Sequence, residues 1–496
     1  MPERPLYAAP QQWTAERVAG RLAPPFPIHA PMNAAALADL ARRLPELVLK
    51  TDAADLEHYG RDWTRRWTPA PLAIALPDST VEVQSIVRWA REHAIGLVPS
   101  GGRTGLSGGA VAARGELVVS LERMNRVLDF DPVDRTLTVQ AGLVLENLQK
   151  AAVERGLAYP VDFASRGSCT IGGNVATNAG GIRVIRHGNT REWIGGIKLV
   201  DGNGDLLDLN RGLVKNASGY DLRHLAIGSE GTLGIVVEVT VRLADPAPPS
   251  SVMLLALPHM EALMRVFDAC RSRLRLSAFE FFTVRALEHV LRHGAQRPFE
   301  GTSPYYVLAE FDAANDAQRD AALALFEHCA GEGWVEDGVI SRSEAQAAAL
   351  WRLREGITES LAPHRPYKND ISMRIGAIPR FMQSMQAIFA EGYAGFDVVW
   401  FGHLGDGNLH ISVLKPASVS EEVFLARCED VTDALSAALT EVGGSISAEH
   451  GIGLVKKPHL EGTRSAAEIA LMRGIKRVLD PGGILNPGKL FDSDPP

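Results

Sequence analysis

Four cysteines in 496 residues, with no two spaced as Cys-x-x-Cys, leave this chain no disulfide framework and no zinc-knuckle pattern. Cys169, Cys270, Cys329 and Cys428 are therefore read as buried thiols of a protein in a reducing compartment. Positive charge is also short, with 51 Lys and Arg against 59 Asp and Glu and a formal net charge of −8. Without a basic run or an aromatic-spaced basic patch, a nucleic-acid surface is excluded, and an anionic substrate must be gathered by locally placed cations. No apolar run reaches the length of a membrane span, and Met1-Pro-Glu-Arg-Pro-Leu6 lacks the hydrophobic stretch of a signal peptide. A soluble, cytoplasmic protein is expected, with homodimerisation left open.

What the chain has in quantity is apolar residues (46%) and glycine (47). The first is enough for a large core in two or three domains. The second is concentrated. Pro99-Ser-Gly-Gly-Arg-Thr-Gly-Leu-Ser-Gly-Gly-Ala-Val111 is followed by Cys169-Thr-Ile-Gly-Gly-Asn-Val-Ala-Thr-Asn-Ala-Gly-Gly181 and then by Gly228-Ser-Glu-Gly-Thr-Leu-Gly-Ile235. Glycine loops turn tightly, lie against bulky groups and expose N–H groups suited to a phosphate, so the first two are read as one diphosphate clamp. One such loop alone would pass for a tight hairpin. A Rossmann fingerprint does not fit, because Gly102-Arg-Thr-Gly105 is not the spaced triplet and no acidic residue follows at the required distance.

Along the chain, residues 1–68 are read as an N-terminal appendage. A strand at Leu72–Pro77, a helix capped by Ser79-Thr80 and a buried strand deliver the first glycine loop. Strands at 117–121, 127–130 and 137–140 follow, and the Asp201-Gly-Asn-Gly204 turn joins 197–200 to 206–209 as a hairpin. Asp245-Pro-Ala-Pro-Pro-Ser-Ser251 marks a domain boundary. Beyond it, strands at 253–256, 278–282 and 305–311 alternate with helices at 260–271, 317–328, 344–361 and 378–391. That order predicts an antiparallel sheet covered on one face. The expected division is 1–68, a domain over 69–246, a substrate or cap domain over 247–450 carrying a metal site, and a C-terminal segment over 451–496.

Three groups in the second half carry chemistry. Strand Val398–His403 runs through Leu404-Gly-Asp-Gly407 into Asn408–Val413, a hairpin that brings His403 and His410 to one end. Ser447-Ala-Glu-His-Gly-Ile-Gly453 adds Glu449 and His450. Two His and one Glu match a catalytic zinc site with an open position, whereas a single His beside an apolar strand is more often a core residue. Lastly, Arg354 and Thr358 lie four apart on a helix and Lys368 follows on a strand, a carboxylate receptor unless that face is merely solvated.

The three glycine stretches, and with them residues 71–491, resemble the vanillyl-alcohol oxidase and p-cresol methylhydroxylase superfamily, in its FAD-linked D-2-hydroxyacid dehydrogenase branch. The resemblance implies an α+β protein, with a two-part FAD-binding domain over 69–246 and an α+β cap domain built on an antiparallel sheet. It implies that FAD is held by Ser100, Gly101, Gly102, Arg103, Thr104, Gly105, Ser107, Ser168, Thr170, Gly173, Asn174, Asn178, Gly180, Gly181 and Ile235. It also implies that the tail Asp480–Lys489 returns to the flavin through Asn486. Relatives with covalent flavin often carry a His in the first loop, where this chain has Arg103-Thr104, so non-covalent FAD is expected.

In that branch His403, His410 and Glu449 fall on ligands of Zn2+ (or Mn2+ or Co2+), His450 on the catalytic base, and Arg354, Thr358 and Lys368 on substrate. The Tyr-Lys-x-Asp-x-Ser stretch is that of the D-2-hydroxyglutarate dehydrogenases, although Ser412 stands where they have Asn. The implied reaction is oxidation of a D-2-hydroxy acid, D-2-hydroxyglutarate or D-malate for preference, with the C2 hydride passing to flavin N5 and a proton to His450. An electron-transfer flavoprotein or quinone would reoxidise the flavin. The alternatives are a D-lactate dehydrogenase or glycolate oxidase subunit, a flavoprotein without turnover, and, from another class, a zinc hydrolase whose glycine loops are structural.

Overall fold

A computed structural model describes residues 30–393 and 395–492; residues 1–29 of the N-terminal stretch lie outside them. Three sheets organise the described residues. The first is four-stranded: Val48–Lys50 pairs antiparallel with Ala73–Leu76, which runs parallel to Leu117–Ser120, itself parallel to Leu97–Ser100. Read as an appendage, the N-terminal stretch is in its described part paired into this sheet, and its helix Ala30–Arg43 sends Ala36 and Leu40 into the core. The helix Thr80–Glu92 forms where Ser79 accepts the Glu82 N–H at 3.3 Å, and it buries Val83, Ile86, Val87, Trp89 and Ala90 as one stripe.

The second sheet is antiparallel, in the order 127–131, 136–140, 235–242, 194–200, 206–209. It contains the hairpin expected at Asp201–Gly204. Both sheets share one apolar core, which the C-terminal tail re-enters when Leu485 bridges to Leu97.

The third sheet has seven antiparallel strands, in the order 337–340, 250–257, 305–312, 276–283, 397–403, 408–414, 367–372. It is covered on both faces, which corrects the expectation of one. Helices 260–273, 316–331, 378–392 and 421–442 enclose a core on one side, and 284–292 and 344–361 enclose another on the opposite side. The physical reason is visible in Leu276–Thr283, buried at all eight positions: a strand with no solvent face has to be roofed twice.

The sheet is docked to the domain built on the first two sheets through Gly181–His187. Arg183 makes a two-pronged ion pair with Glu310 at 2.9 and 3.1 Å, and Arg186 a second with Asp312. Ile182 and Ile185 pack against the cores on the two faces of the sheet. The described residues have the expected α+β architecture, with the four- and five-stranded sheets sharing one core and the seven-stranded antiparallel sheet forming the cap.

Candidate active site

The first glycine loop leaves the strand Leu97–Ser100 and lies back to back with residues 168–170. A Cβ on Gly102 would sit 2.0 Å from the Ser168 carbonyl oxygen and 2.8 Å from Cys169 Cα, so only glycine lets the two loops meet. Around Gly167, by contrast, there is open space, while a Cβ on Gly228 would make ordinary contacts with Asn178 at 3.6 Å and Arg191 at 3.8 Å, and one on Gly105 with Asp62 at 4.0 Å. Ser100 Oγ, Asn174 Nδ2 and Asn486 Oδ1 are buried without a hydrogen-bond partner, a polarity that a polar ligand in the cleft would satisfy. Asn486 Nδ2 donates to the carbonyls of Gly109 and Glu230 at 2.9 and 2.7 Å, tying the tail to two of the glycine stretches.

The remaining clamp residues divide. Ser107 and Thr170 are buried, Thr104, Gly173, Gly180 and Gly181 are half-buried, Ser168 is exposed, and Ile235 starts a buried strand. Asn178 ends the helix Ile171–Thr177 in a left-handed conformation and accepts from the Arg191 N–H, so its side chain is engaged by the protein. Arg103 folds back to the Gly101 carbonyl and stacks 4.5 Å over the Tyr59 ring. Burial holds its pKa below the usual arginine range. Gly102→Ala is expected to separate the two loops and yield folded, colourless protein; its flavin absorbance checks this.

On the cap sheet, Phe401 pairs with His410 and His403 with Asn408, so the two imidazoles project from the same end of one hairpin, 5.3 Å apart between centroids. The Ser447–Gly453 loop meets them there. One ligand atom from each of His403, His410 and Glu449 lies within 4.8 Å of the others, and Asp370, Glu449 and His450 form a second such group. The donor set of two imidazoles and a carboxylate suits a borderline divalent cation. Their side chains keep 10%, 13% and 24% exposure, enough for a small molecule to reach them.

Two carboxylates to which the sequence reading gave no role orient these rings. Glu280 accepts from His403 Nδ1 at 2.8 Å, and Asp370 lies 3.8 Å from His410 Nδ1 and 3.5 Å from His450 Nδ1. Each Nδ1 is thus turned to a buried carboxylate, the arrangement that fixes a ligating imidazole, and the Nε2 atoms of His410 and His450 lie 3.8 and 3.6 Å from Glu449 Oε1. Burial disfavours a charged His403, but the Glu280 carboxylate outweighs it and lifts the pKa to about 9. Burial drives His410 well below the usual histidine range and His450 down to about 4. It pushes Glu449 up to about 7, helped by the charge of Asp370. Asp370 itself is buried, yet His450, Lys456 and His410 hold it well below the usual carboxylate range.

Arg354 is buried beside this group. Its Nε lies 2.8 Å from Glu280 Oε2, an ion-pair distance, but the angles leave Nε and Nη2 without a hydrogen-bond partner. Thr358 is exposed one turn further on. Lys368 sits directly opposite buried Ser412 in the sheet and, among the described residues, pairs with no carboxylate. Its side chain is exposed, yet partial desolvation by the surrounding protein depresses its pKa.

A signal for the missed residues existed. Glu280 is the one charge in the apolar run Ala278-Phe-Glu-Phe-Phe282, and Asp370 lies two residues from Lys368 on the same strand face.

Residues 71–210 match the family described as FAD binding domain, and residues 247–490 the one described as FAD linked oxidases, C-terminal domain. A D-2-hydroxyglutarate dehydrogenase of Xanthomonas citri pv. viticola is 68% identical, covering 92% of this chain and 96% of its own length. One from Stutzerimonas stutzeri is 52% identical over 89% and 95%. This chain belongs to the FAD-linked D-2-hydroxyacid dehydrogenase family.

The dehydrogenase shares its fold with p-cresol methylhydroxylase, at a TM-score of 0.73 and 16% identity over 95% of this chain and 99% of that one. The matched FAD binding domain and the curated relatives make it an FAD-linked enzyme, and the hydrolase reading, in which the glycine loops were structural only, falls with that assignment. Among the described residues no helix is long and apolar enough to cross a membrane.

Proposed function

We propose that this enzyme oxidises D-2-hydroxyglutarate to the 2-oxo acid, accepting D-malate as a close relative. The observation that carries the proposal is the pair of cations: buried Arg354, whose Nε and Nη2 lack a hydrogen-bond partner, and exposed Lys368, which pairs with no carboxylate among the described residues. A dicarboxylate supplies a partner for each. The names of the two bacterial relatives support the same substrate.

The site is completed in this reading by a divalent cation, zinc for preference and manganese or cobalt otherwise, on His403, His410 and Glu449. When bound, FAD supplies the hydride acceptor and the cation a Lewis acid. The protein's part is to orient and to move one proton. Arg354, with Thr358 one turn away, and Lys368 grip the carboxylates and fix which face of C2 is presented. Ser412, opposite Lys368, shapes the far end. His450 is neutral at physiological pH because burial holds its pKa at about 4, and with Nδ1 turned to Asp370 its Nε2, 3.6 Å from Glu449 Oε1, is the nitrogen that takes the substrate hydroxyl proton once Glu449 is engaged by the cation.

FAD is held non-covalently, and an electron-transfer flavoprotein or a quinone takes the electrons onward. Heat or acid precipitation should therefore leave yellow FAD in the supernatant; colour retained on the pellet would mean a covalent bond. Steady-state oxidation of D-2-hydroxyglutarate with an artificial acceptor tests the proposal as a whole, and absence of turnover by metal- and FAD-replete enzyme would defeat it.

Asp370→Asn is expected to lower kcat about 10- to 100-fold, since an amide at this position can present its N–H to one of the two imidazoles and release the tautomer. Unchanged kcat in that variant would show that Asp370 does not orient His450.

A further inference from the structure

We propose that Glu230, a residue of the flavin domain, is the positioning residue that holds the Glu449-His450 loop in register with the flavin cleft. Residues 449–455 have almost no regular structure, so their place is set by what their backbone amides bind. Glu449 and His450 donate to Asp370 Oδ2 at 3.1 and 3.0 Å, from the cap side. Ile452 donates to Glu230 Oε1 at 2.7 Å and Gly453 to Glu230 Oε2 at 2.8 Å, from the flavin side. Leu454 and Val455 both donate to the carbonyl of Ser107 in the first glycine loop, at 2.8 and 3.0 Å. Two carboxylates from two domains therefore grip the loop on either side of Gly451.

Glu230 is itself locked. It is buried, stands at φ +52°, donates its N–H to Ala176 at 2.8 Å and offers its carbonyl to Asn486. A left-handed backbone at a residue other than glycine has a cost that the surroundings must offset, and here it aims the carboxylate across the domain junction. Only a carboxylate presents two acceptor oxygens and no donor to two adjacent amides; glutamine would face one of them with an N–H. Gly451 leaves room for this grip, because a Cβ there would stand 2.9 Å from Glu230 Cδ.

The inference rests on the metal reading above, so the test separates the two. Zinc affinity is measured by competition with a chromophoric chelator on FAD-loaded full-length protein, wild type and Glu230→Gln, together with FAD content and amide exchange over 449–455. The expected result is FAD retained, zinc affinity down 10- to 100-fold, and faster exchange at Ile452 and Gly453. Wild-type affinity and exchange in the variant overturn the inference. Loss of FAD with zinc affinity intact overturns it as well, since the carboxylate would then serve the flavin alone. If Glu230→Gln does not fold, Gly451→Ala, which displaces the loop from an unchanged carboxylate, is expected to give the same zinc and exchange result, and normal values there are equally fatal. Wild-type protein that takes up no zinc sinks the metal reading, and exchange at Ile452 and Gly453 then decides the role of Glu230.

Discussion

Treatment with a strong chelator should abolish turnover while the flavin absorbance stays on the protein, and added zinc should restore activity, with manganese or cobalt as weaker substitutes. The expected loss is about 10³-fold, because polarising the substrate oxygen contributes several kcal/mol that no remaining side chain can supply. His403→Ala, His410→Ala and Glu449→Ala should each lose the metal with the fold and FAD intact. Full activity in the chelated enzyme would make the cluster structural or empty of function.

The same site predicts how metal uptake depends on pH. In the metal-free protein His403 keeps its proton up to about pH 9, against the pull of burial, because Glu280 stabilises its charged form. Glu449, raised by burial and by Asp370, keeps its proton to about pH 7. A cation must displace both protons, so zinc affinity should climb with pH across this range and release protons on binding. Calorimetry in buffers of different ionisation enthalpy measures that release.

The second large effect concerns substrate. D-2-hydroxyglutarate should exceed D-lactate in kcat/KM by at least about 100-fold. A monocarboxylate uses the metal and one cation and leaves the other unpaired, which for a desolvated charge costs about 3–5 kcal/mol. Lys368 is exposed, so water screens part of its share, and the floor is set low for that reason. Arg354→Ala or Lys368→Met should reduce the preference by slowing the dicarboxylate far more than D-lactate. The D enantiomer is expected to be strongly favoured, because two gripped carboxylates and a held hydroxyl leave one C2 hydrogen facing the flavin. A panel of D- and L-2-hydroxy acids with an artificial acceptor decides the matter. Parity of D-lactate with D-2-hydroxyglutarate would sink the dicarboxylate reading, and Ser412 would then be the residue to change to Asn.

The parts of this protein that its sequence determines are those governed by neighbours in the chain. The glycine loops are legible because only glycine allows the approach seen at Gly102. The His403/His410 pair is legible because a short Asp-Gly turn fixes the register of its two strands. The cap helices declare themselves through caps such as Ser343, which accepts the Gln346 N–H at 3.2 Å.

Tertiary structure alone decided which carboxylates serve those residues. Glu280 reaches His403 across 123 residues of chain, Asp370 reaches the His450 amide across 80, and Glu230 reaches Ile452 across 222. It also decided that the seven-stranded sheet is roofed on both sides. A buried carboxylate is selected by the donors that surround it after folding, and those donors lie on strands and loops whose separation in sequence carries no trace of their proximity. For that reason the ligand types could be read along the chain, whereas the network that orients them could not.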